Sequence, residues 1–143
     1  MKRNRGHIRG ALEARLMDIL WDSPRALRVR EVCEKLDTPL AYTTVMTTLA
    51  RLFDKGVLER ERDGLAFCYR PAVPRAQYQA EVVGETVIPL LQSSGAAVLA
   101  HFVDLAAGVD EENLSRLEEL IAARRAARRA ARRAARRAGE DTT

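Results

Sequence analysis

Four threonines and an arginine, spaced as one helix face spaces its residues, are the side chains of this sequence best suited to recognising a ligand. At about 100° per residue, they share one side of a helix predicted over residues 40–56, while apolar residues fill the other side. Because threonine is a mediocre helix former, such a row is costly unless its hydroxyls are used. The polar side contains Thr43, Thr44, Thr47, Thr48, Arg51, Asp54 and Lys55, and the apolar side contains Tyr42, Val45, Met46, Leu49, Leu52 and Phe53.

This pattern suits the major groove of DNA. Threonine hydroxyls bond to base edges or phosphates, threonine methyls contact the thymine methyl, and arginine binds guanine or phosphate. The side chains expected to face the groove are Thr43, Thr44, Thr47 and Arg51, and those expected on phosphates are Thr48, Lys55, Arg60 and Arg62. The Tyr42 ring belongs to the apolar side, but its hydroxyl is placed to reach a phosphate at the helix start. The alternative is an ordinary solvated helix face.

Two shorter amphipathic segments precede this helix. Leu12, Leu16 and Leu20 mark a first helix, which is expected to stop at Ser23-Pro24. A second helix carries Val29, Val32, Cys33 and Leu36 and is ended by Asp37-Thr38-Pro39. Two helices joined by a short break, the second with polar groups outward, form the helix-turn-helix arrangement. Gly56 is expected to close the third helix at the C′ position.

A β-hairpin is predicted directly after the third helix. Residues 57–62 and 65–70 are β-prone, and Asp63-Gly64 between them predicts a type I′ turn. Three helices followed by a hairpin make a winged helix, which places Arg60 and Arg62 beside the DNA backbone. The alternative for these arginines is cross-strand pairing with Glu59 and Glu61.

On these residues the chain resembles the penicillinase-repressor (BlaI/MecI/CopY) family of bacterial transcription regulators. The likeness covers roughly residues 8–121, and its most specific part is the block Ala41-Tyr42-Thr43-Thr44-Val45. It implies a homodimeric repressor on a palindromic operator, controlling β-lactam-resistance or related genes. In the β-lactam branch a membrane sensor-protease system triggers cleavage of the repressor. The cysteine cluster that marks the copper branch is lacking here.

By the same resemblance, the scissile Asn-Phe bond of the family falls at His101-Phe102. Histidine stands here in place of asparagine, which puts cleavage by an equivalent protease in doubt. Phe102 also belongs to an apolar stripe, so a plain packing role is the alternative for it.

Charge divides the chain into three segments. Residues 1–75 hold 15 Lys and Arg against 10 Asp and Glu, residues 76–123 hold one Arg against eight acids, and residues 124–143 hold eight Arg against two acids. A basic first segment fits a nucleic-acid surface, whereas the acidic middle segment is repelled by phosphate. We therefore predict a winged-helix domain over 1–73, a helical dimerisation region over 74–123 and a basic tail over 124–143.

The middle segment contains three short apolar helical stripes, interrupted at Pro89. Ser94 and Asp110 are the expected N-caps of the second and third helices. Helices this rich in Leu, Val and Ile cannot bury themselves alone, so a second copy of the chain is the natural partner. The alternative is packing back onto the winged helix. The residues expected in the dimer contact are Val82, Val98, Leu99, Phe102, Leu114, Leu117 and Ile121.

The tail repeats Arg-Arg-Ala-Ala every four residues from Arg124 to Ala138. On a helix with 3.6 residues per turn this repeat drifts by about 40° each time, so the arginines spiral. The tail lacks the apolar seam of a coiled coil. Two interpretations stay open, a DNA-binding arm and a low-complexity extension without specific function.

The remaining patterns favour neither an enzyme nor a cofactor protein. No phosphate-binding loop or Ser/His/Asp signature is found, and Cys33, Cys68, His7 and His101 lack metal-ligand spacing. No apolar run is expected to span a membrane, and a cytoplasmic location follows. Two other functions remain as alternatives: a small-molecule-responsive regulator of the MarR-like kind, and a non-specific nucleic-acid-binding protein driven by the arginine tail.

Overall fold

The computed structural model of the 143-residue chain describes residues 5–140. Its elements follow in the order α1 (Gly10–Asp22), β1 (Leu27–Arg28), α2 (Val29–Lys35), α3 (Tyr42–Asp54), β2 (Leu58–Asp63), β3 (Ala66–Pro71), α4 (Arg75–Val109) and α5 (Glu112–Glu140). The chain divides into two compact units, a first unit that ends at Thr86 and a second unit that begins at Val87. The first unit extends past the predicted boundary at residue 73.

One apolar core holds the first unit together. The amphipathic helices α1 and α3 turn their apolar stripes inward, and the strands cover them. The buried apolar side chains are Leu16, Met17, Leu20, Leu27, Val29, Val32, Val45, Leu49, Leu52, Val57, Leu58, Tyr69 and Tyr78. The prediction of a mainly helical chain with a small β wing is confirmed.

The end of α3 is fixed by a Schellman motif. The Val57 N–H donates to the Leu52 carbonyl at 3.1 Å, and the Gly56 N–H donates to the Phe53 carbonyl at 2.9 Å. This motif needs a left-handed residue at C′, and Gly56 supplies it with φ of +77°. The predicted stop at Gly56 is therefore confirmed, and it sets where the wing begins.

The wing is a three-stranded antiparallel sheet in the order β1-β3-β2. The short strand β1, which was not predicted, pairs Leu27 with Tyr69 of β3. In the hairpin Asp63 pairs with Ala66, so the turn residues are Gly64 and Leu65. Among the described residues only glycines have positive φ, and Gly64 is one of them at +68°. The predicted type I′ turn at Asp63-Gly64 is wrong, because that turn needs two positive φ values, and the glycine position matches type II′ instead.

The first turns of α4 pack onto the first unit. Tyr78 is 8% exposed, and its hydroxyl accepts a hydrogen bond from the Ile8 N–H at 2.7 Å. Its ring centroid lies 5.6 Å from that of Trp21, whose indole N–H donates to the Val73 carbonyl. Val82, one turn further on, also packs against this core. The core of its own unit therefore covers part of the Val82 side chain, and a dimer contact by Val82 stays a prediction.

The second unit contains the rest of α4 and the whole of α5. The helical backbone breaks at Ser94, with φ of −148° and ψ of 48°, which is the residue predicted to precede the second helix. Pro89, the predicted point of interruption, lies inside the helix. Asp110 caps α5 as expected, since its Oδ1 accepts the Glu112 N–H at 3.0 Å. The Asn113 side chain ties α5 back to α4 by donating to the Ala106 carbonyl at 2.9 Å.

Residues 87–140 contain no buried side chain. Of the residues predicted for the dimer contact, Val98, Leu114 and Leu117 are half-buried, and Leu99, Phe102 and Ile121 are exposed. A groove of about 480 Å³ lies between the end of α4 and the start of α5, lined by Phe102, Leu105, Ala106, Val109, Asn113, Arg116, Leu117 and Leu120. The described residues of the second unit therefore do not bury this apolar surface within the unit itself.

Helix α4 is long and apolar enough to cross a membrane by length and composition alone. It has 35 residues, and its most apolar window has a mean hydropathy of 1.4. The prediction that no apolar run reaches that length is therefore wrong. The same composition serves a helix that pairs with another protein surface, and the start of this helix is packed into the first unit through Tyr78.

Candidate nucleic-acid interface

The side of α3 that is exposed in the structure contains most of the residues predicted for its polar side. Thr43, Thr44, Thr47 and Arg51 are all exposed, while Val45, Leu49 and Leu52 lie in the core beneath them. A helix held by its apolar stripe in this way presents a fixed row of hydroxyls that ends in a guanidinium. This row is the arrangement that suits base edges in a major groove.

The boundary of the exposed side is rotated from the prediction. Tyr42 and Met46, assigned to the apolar side, are 52% and 41% exposed. Thr48, assigned to the polar side, is only 5% exposed, and its hydroxyl donates to the Thr44 carbonyl at 2.7 Å. This bond satisfies the hydroxyl inside the protein, so a phosphate contact by Thr48 does not fit the structure. We call Tyr42, Thr43, Thr44, Met46, Thr47 and Arg51 the recognition surface.

Lys55 is also committed to its own chain. Its ammonium group donates to both carboxylate oxygens of Glu13, at 2.8 and 3.0 Å, and to the His7 carbonyl at 3.0 Å. An ammonium has three N–H donors, and these contacts use all of them. The predicted phosphate contact by Lys55 therefore does not fit the structure. Lys55 instead ties the end of α3 to α1.

Glu13 is the anion at the centre of this contact, and the residue is 4% exposed. Burial by itself raises the pKa of the Glu13 carboxyl. Hydrogen bonds from Lys55 and the Arg9 N–H, and the charges of Lys55 and Arg51, outweigh burial and lower this pKa below its ordinary value. The carboxyl is therefore ionised at neutral pH. It lies 4.0 Å from the Arg51 guanidinium, which is 60% exposed, and so helps to position a member of the recognition surface.

The wing arginines are held by aromatic rings. The Arg60 guanidinium carbon lies 4.0 Å from the ring centroid of Phe53 and 4.2 Å from that of Phe67, and the Arg62 carbon lies 5.4 Å from Phe67. A guanidinium stacked on a ring keeps its N–H edge free for a phosphate. Arg60 is half-buried and Arg62 is exposed. The wing thus presents two oriented cations next to α3.

The alternative of pairing with Glu59 and Glu61 is wrong for these two arginines. Successive residues of a strand point to opposite faces of a sheet, so Arg60 lies on the face away from both glutamates. Arg70 takes the glutamates instead, with guanidinium-to-carboxylate distances of 3.0 Å to Glu59 and 3.7 Å to Glu61.

A groove of about 330 Å³ lies between α3 and the wing. It is lined by Arg28, Val29, Arg30, Tyr42, Met46, Leu65, Ala66, Phe67 and Tyr69. Arg28 and Arg30 were missed as site residues. Arg28 belongs to the unpredicted strand β1, which pairs with β3, and Arg30 lies in the first turn of α2. Leu65 at the turn of the hairpin is fully exposed. The groove adds two cations to one end of the recognition surface.

Two arginines in or just before β1, Arg28 and Arg25, form ion pairs. Arg28 binds Asp63 at 2.6 Å, and this contact raises the pKa of Arg28. Arg25 binds Glu31, and its hydrogen bond lowers the pKa of that carboxyl. Within residues 5–140, no three His, Cys, Asp or Glu side chains gather as metal ligands.

The fold and this surface define a winged helix-turn-helix protein with a recognition helix of the DNA-binding kind. The family model described as Penicillinase repressor matches residues 9–123 of the chain. The chain therefore belongs to the penicillinase repressor family, and it is a DNA-binding transcriptional repressor by that membership.

Two curated relatives agree with this placement. The chain is 38% identical over 110 residues to the protein called Transcriptional regulator BlaI of Mycobacterium tuberculosis strain CDC 1551 / Oshkosh, a match that covers 75% of this chain and 79% of the relative. The protein of the same name from strain H37Rv gives the same figures. The family model covers α3 and the wing, and it ends at residue 123, before the arginine-rich end of α5.

Proposed function

We propose that this repressor binds a palindromic operator as a homodimer and recognises its sequence through α3. The observation that carries the proposal is the recognition surface itself. Thr43, Thr44 and Thr47 present hydroxyls on an exposed helix face, and Arg51 extends from the same face one turn after Thr47. Base edges in a major groove offer the donors and acceptors that this row matches.

The wing is proposed to fix the position of α3 on the duplex. Phosphate contacts hold a protein in register and orientation but carry little sequence information. Arg60 and Arg62, oriented by aromatic rings, suit this role, and Arg28 and Arg30 extend the basic surface on the other side of the groove. Thr48 and Lys55 have no part in it, because their polar groups are already used.

The second unit is proposed to hold two copies together. Leu99, Phe102 and Ile121 are 56%, 48% and 51% exposed in a unit whose described residues include no buried one. Apolar surface of this extent is stabilised by a partner, and a second copy supplies the same surface. A dimer places two recognition helices on two half-sites, which is why the operator is expected to be palindromic. We also propose a cytoplasmic location, because a bacterial repressor has to reach the DNA that it controls.

The direct test uses sequences selected from random DNA by the full-length protein. The selected sequences are expected to share an inverted repeat. DNA that carries this repeat then serves as the operator on which the affinity of Arg51→Ala is measured. That variant should lose about 1–3 kcal/mol of specific binding if Arg51 contacts a base. Arg70→Ala is the matched control, since Arg70 pairs with Glu59 on the face of the wing that is opposite to Arg60. Selection of no common sequence, or equal operator affinity of Arg51→Ala and wild type, would contradict the proposal.

Relief of repression by cleavage between His101 and Phe102 stays a prediction of the family resemblance. Both residues are exposed, and both lie inside α4, so a protease needs this helix to open locally. Mass spectrometry of the protein from induced cells should then find a fragment that ends at His101. Intact protein together with full derepression would favour control by a small ligand, as in the MarR-like alternative.

A further inference from the structure

The end of α5 carries a concentration of charge that operator recognition does not use. Residues 124–138, which we call the arginine segment, contain eight arginines and otherwise only alanine. All of these residues are helical and exposed. Within residues 5–140, no guanidinium of the segment forms an ion pair with a carboxylate. The family model stops at residue 123, so the segment lies outside the matched region.

The helix holds its eight charges at about two thirds of the charge density of a nucleic-acid duplex. From Arg124 to Arg137 the helix rises about 20 Å, at 1.5 Å per residue. Duplex DNA carries one phosphate charge per 1.7 Å of axis, or about 12 over the same length. The four-residue repeat moves each arginine pair about 40° around the helix from the last, so the guanidinium groups cover an arc of roughly 220°.

An isolated segment of this kind is destabilised by repulsion between its own positive charges. Arginines four residues apart, such as Arg124 and Arg128, are neighbours on the helix surface and repel each other. Alanine and arginine have high helix propensity, which opposes that repulsion. A polyanion that binds between the guanidinium groups removes the repulsion and releases its own condensed counterions.

We propose that the arginine segment is a second binding site for duplex DNA, independent of sequence, which contacts the phosphates beside the operator. A spiral of flexible guanidinium groups cannot present a fixed pattern to base edges, whereas each group can pair with a phosphate. The proposal goes beyond operator recognition and does not depend on which sequence α3 prefers.

The composition of the segment favours duplex DNA over other polyanions. A helix that lies in a membrane surface inserts large apolar side chains such as Leu, Phe or Trp, and this segment has only alanine opposite its arginines. Single-stranded nucleic acid is bound largely by stacking on aromatic side chains, and the segment has none. The same chain also belongs to a DNA-binding family, so duplex DNA is already held by the molecule that carries the segment.

The test measures binding of the full-length protein to random-sequence duplex DNA over a range of salt concentrations. One variant changes all eight arginines of the segment to glutamine, and a matched control changes them to lysine, which keeps the charge. Each phosphate that the segment neutralises contributes about 0.9 to the slope of log affinity against log salt. The glutamine variant is expected to flatten this slope by about two to four, since only part of the spiral can face the backbone at once, and the lysine variant should keep most of it.

Circular dichroism of both variants checks that the helix is retained. An unchanged salt slope in a helical glutamine variant would overturn the proposal, and it would indicate that the segment folds onto acidic residues or has no ligand. Tighter binding of wild type to phosphatidylserine vesicles, or to single-stranded RNA of equal length, would also overturn it. Because the probe is random DNA, failure of operator recognition would leave these results unaffected.

Discussion

The two units of this protein differ in whether their apolar side chains are buried or exposed. The first unit, from residue 5 onward, encloses thirteen buried apolar side chains in one core, and its buried carboxylate, Glu13, is paired with Lys55. The second unit, as far as residue 140, buries none of its side chains and displays Leu99, Phe102 and Leu105. The difference suggests that the first unit is stable as a monomer and that the second unit gains its stability from a partner.

The same contrast separates the two tasks of a repressor. Groups that recognise DNA have to be held rigidly, and α3 is held by a core, a Schellman motif at Gly56 and the Glu13–Lys55 ion pair. Groups that associate have to be exposed until a partner arrives. The acidic character of residues 76–123 also disfavours phosphate contacts by the surface that we propose for dimerisation.

The largest expected effect comes from removing the second unit. A chain of residues 1–86 should stay folded, sediment as a monomer and lose about 10²–10⁴-fold in operator affinity, because each half-site then binds without a tethered partner. Analytical ultracentrifugation and binding to the selected operator measure both consequences. A stable dimer of residues 1–86 would contradict the separation of tasks.

The position of the truncation gives this test an internal control. A chain that ends at Pro71 also lacks Tyr78, which is buried against Trp21 and bonded to Ile8. Loss of a buried aromatic ring lowers the free energy of unfolding by about 3–5 kcal/mol. The shorter chain should therefore melt at a lower temperature than residues 1–86. Equal melting temperatures would mean that the start of α4 does not belong to the first unit.

A smaller effect is expected from Glu13→Gln. The substitution leaves the Lys55 ammonium without its anion, and we expect the free energy of unfolding to fall by about 1–3 kcal/mol at neutral pH. The pKa of Glu13 is lowered in the folded protein, so its stabilisation is present above the unfolded-state pKa of about 4.3 and is lost as pH falls through the folded value. The difference between wild type and variant should therefore shrink below about pH 4. A difference independent of pH would exclude the ion pair as its cause.

The smallest effects distinguish two neighbouring threonines on α3. Thr47→Ala removes an exposed hydroxyl of the recognition surface and should relax the base preference at one position in each half-site. Thr48→Ala removes a hydroxyl that is bonded to the Thr44 carbonyl, so base preference should stay unchanged. Selection of DNA sequences by each variant compares the two directly. A change of preference in Thr48→Ala alone would show that the helix is rotated from its position here.

Much of this fold could be predicted because its signals are local. The helical periodicity of α3, the glycine at its end and the alternating hairpin each depend on neighbours in sequence. The strand β1 has only two residues and exists because β3 is there to pair with it, so no local pattern indicated it. The turn of the hairpin was misplaced for a related reason, since Asp63-Gly64 and Gly64-Leu65 differ only in strand register.

The errors in the site have a common physical origin. Thr48 and Lys55 carry polar groups on the predicted polar side, and a hydroxyl or an ammonium is expected to face solvent. The Thr44 carbonyl satisfies the first and Glu13 satisfies the second, and the latter lies 42 residues away in sequence. The contact of Val82 with the core of the first unit was also missed, because an apolar helix face does not indicate which surface covers it.

We propose that the first unit recognises a half-site and that the second unit joins two such units on the operator. The most direct test of this proposal compares binding of the full-length protein to DNA with one selected half-site and to DNA with two half-sites in the selected spacing. We expect one dimer to bind the double site about 10²-fold or more tightly than the single site. Shifting the spacing by half a helical turn should abolish this gain. Equal affinity for the single, double and shifted sites would contradict the proposal.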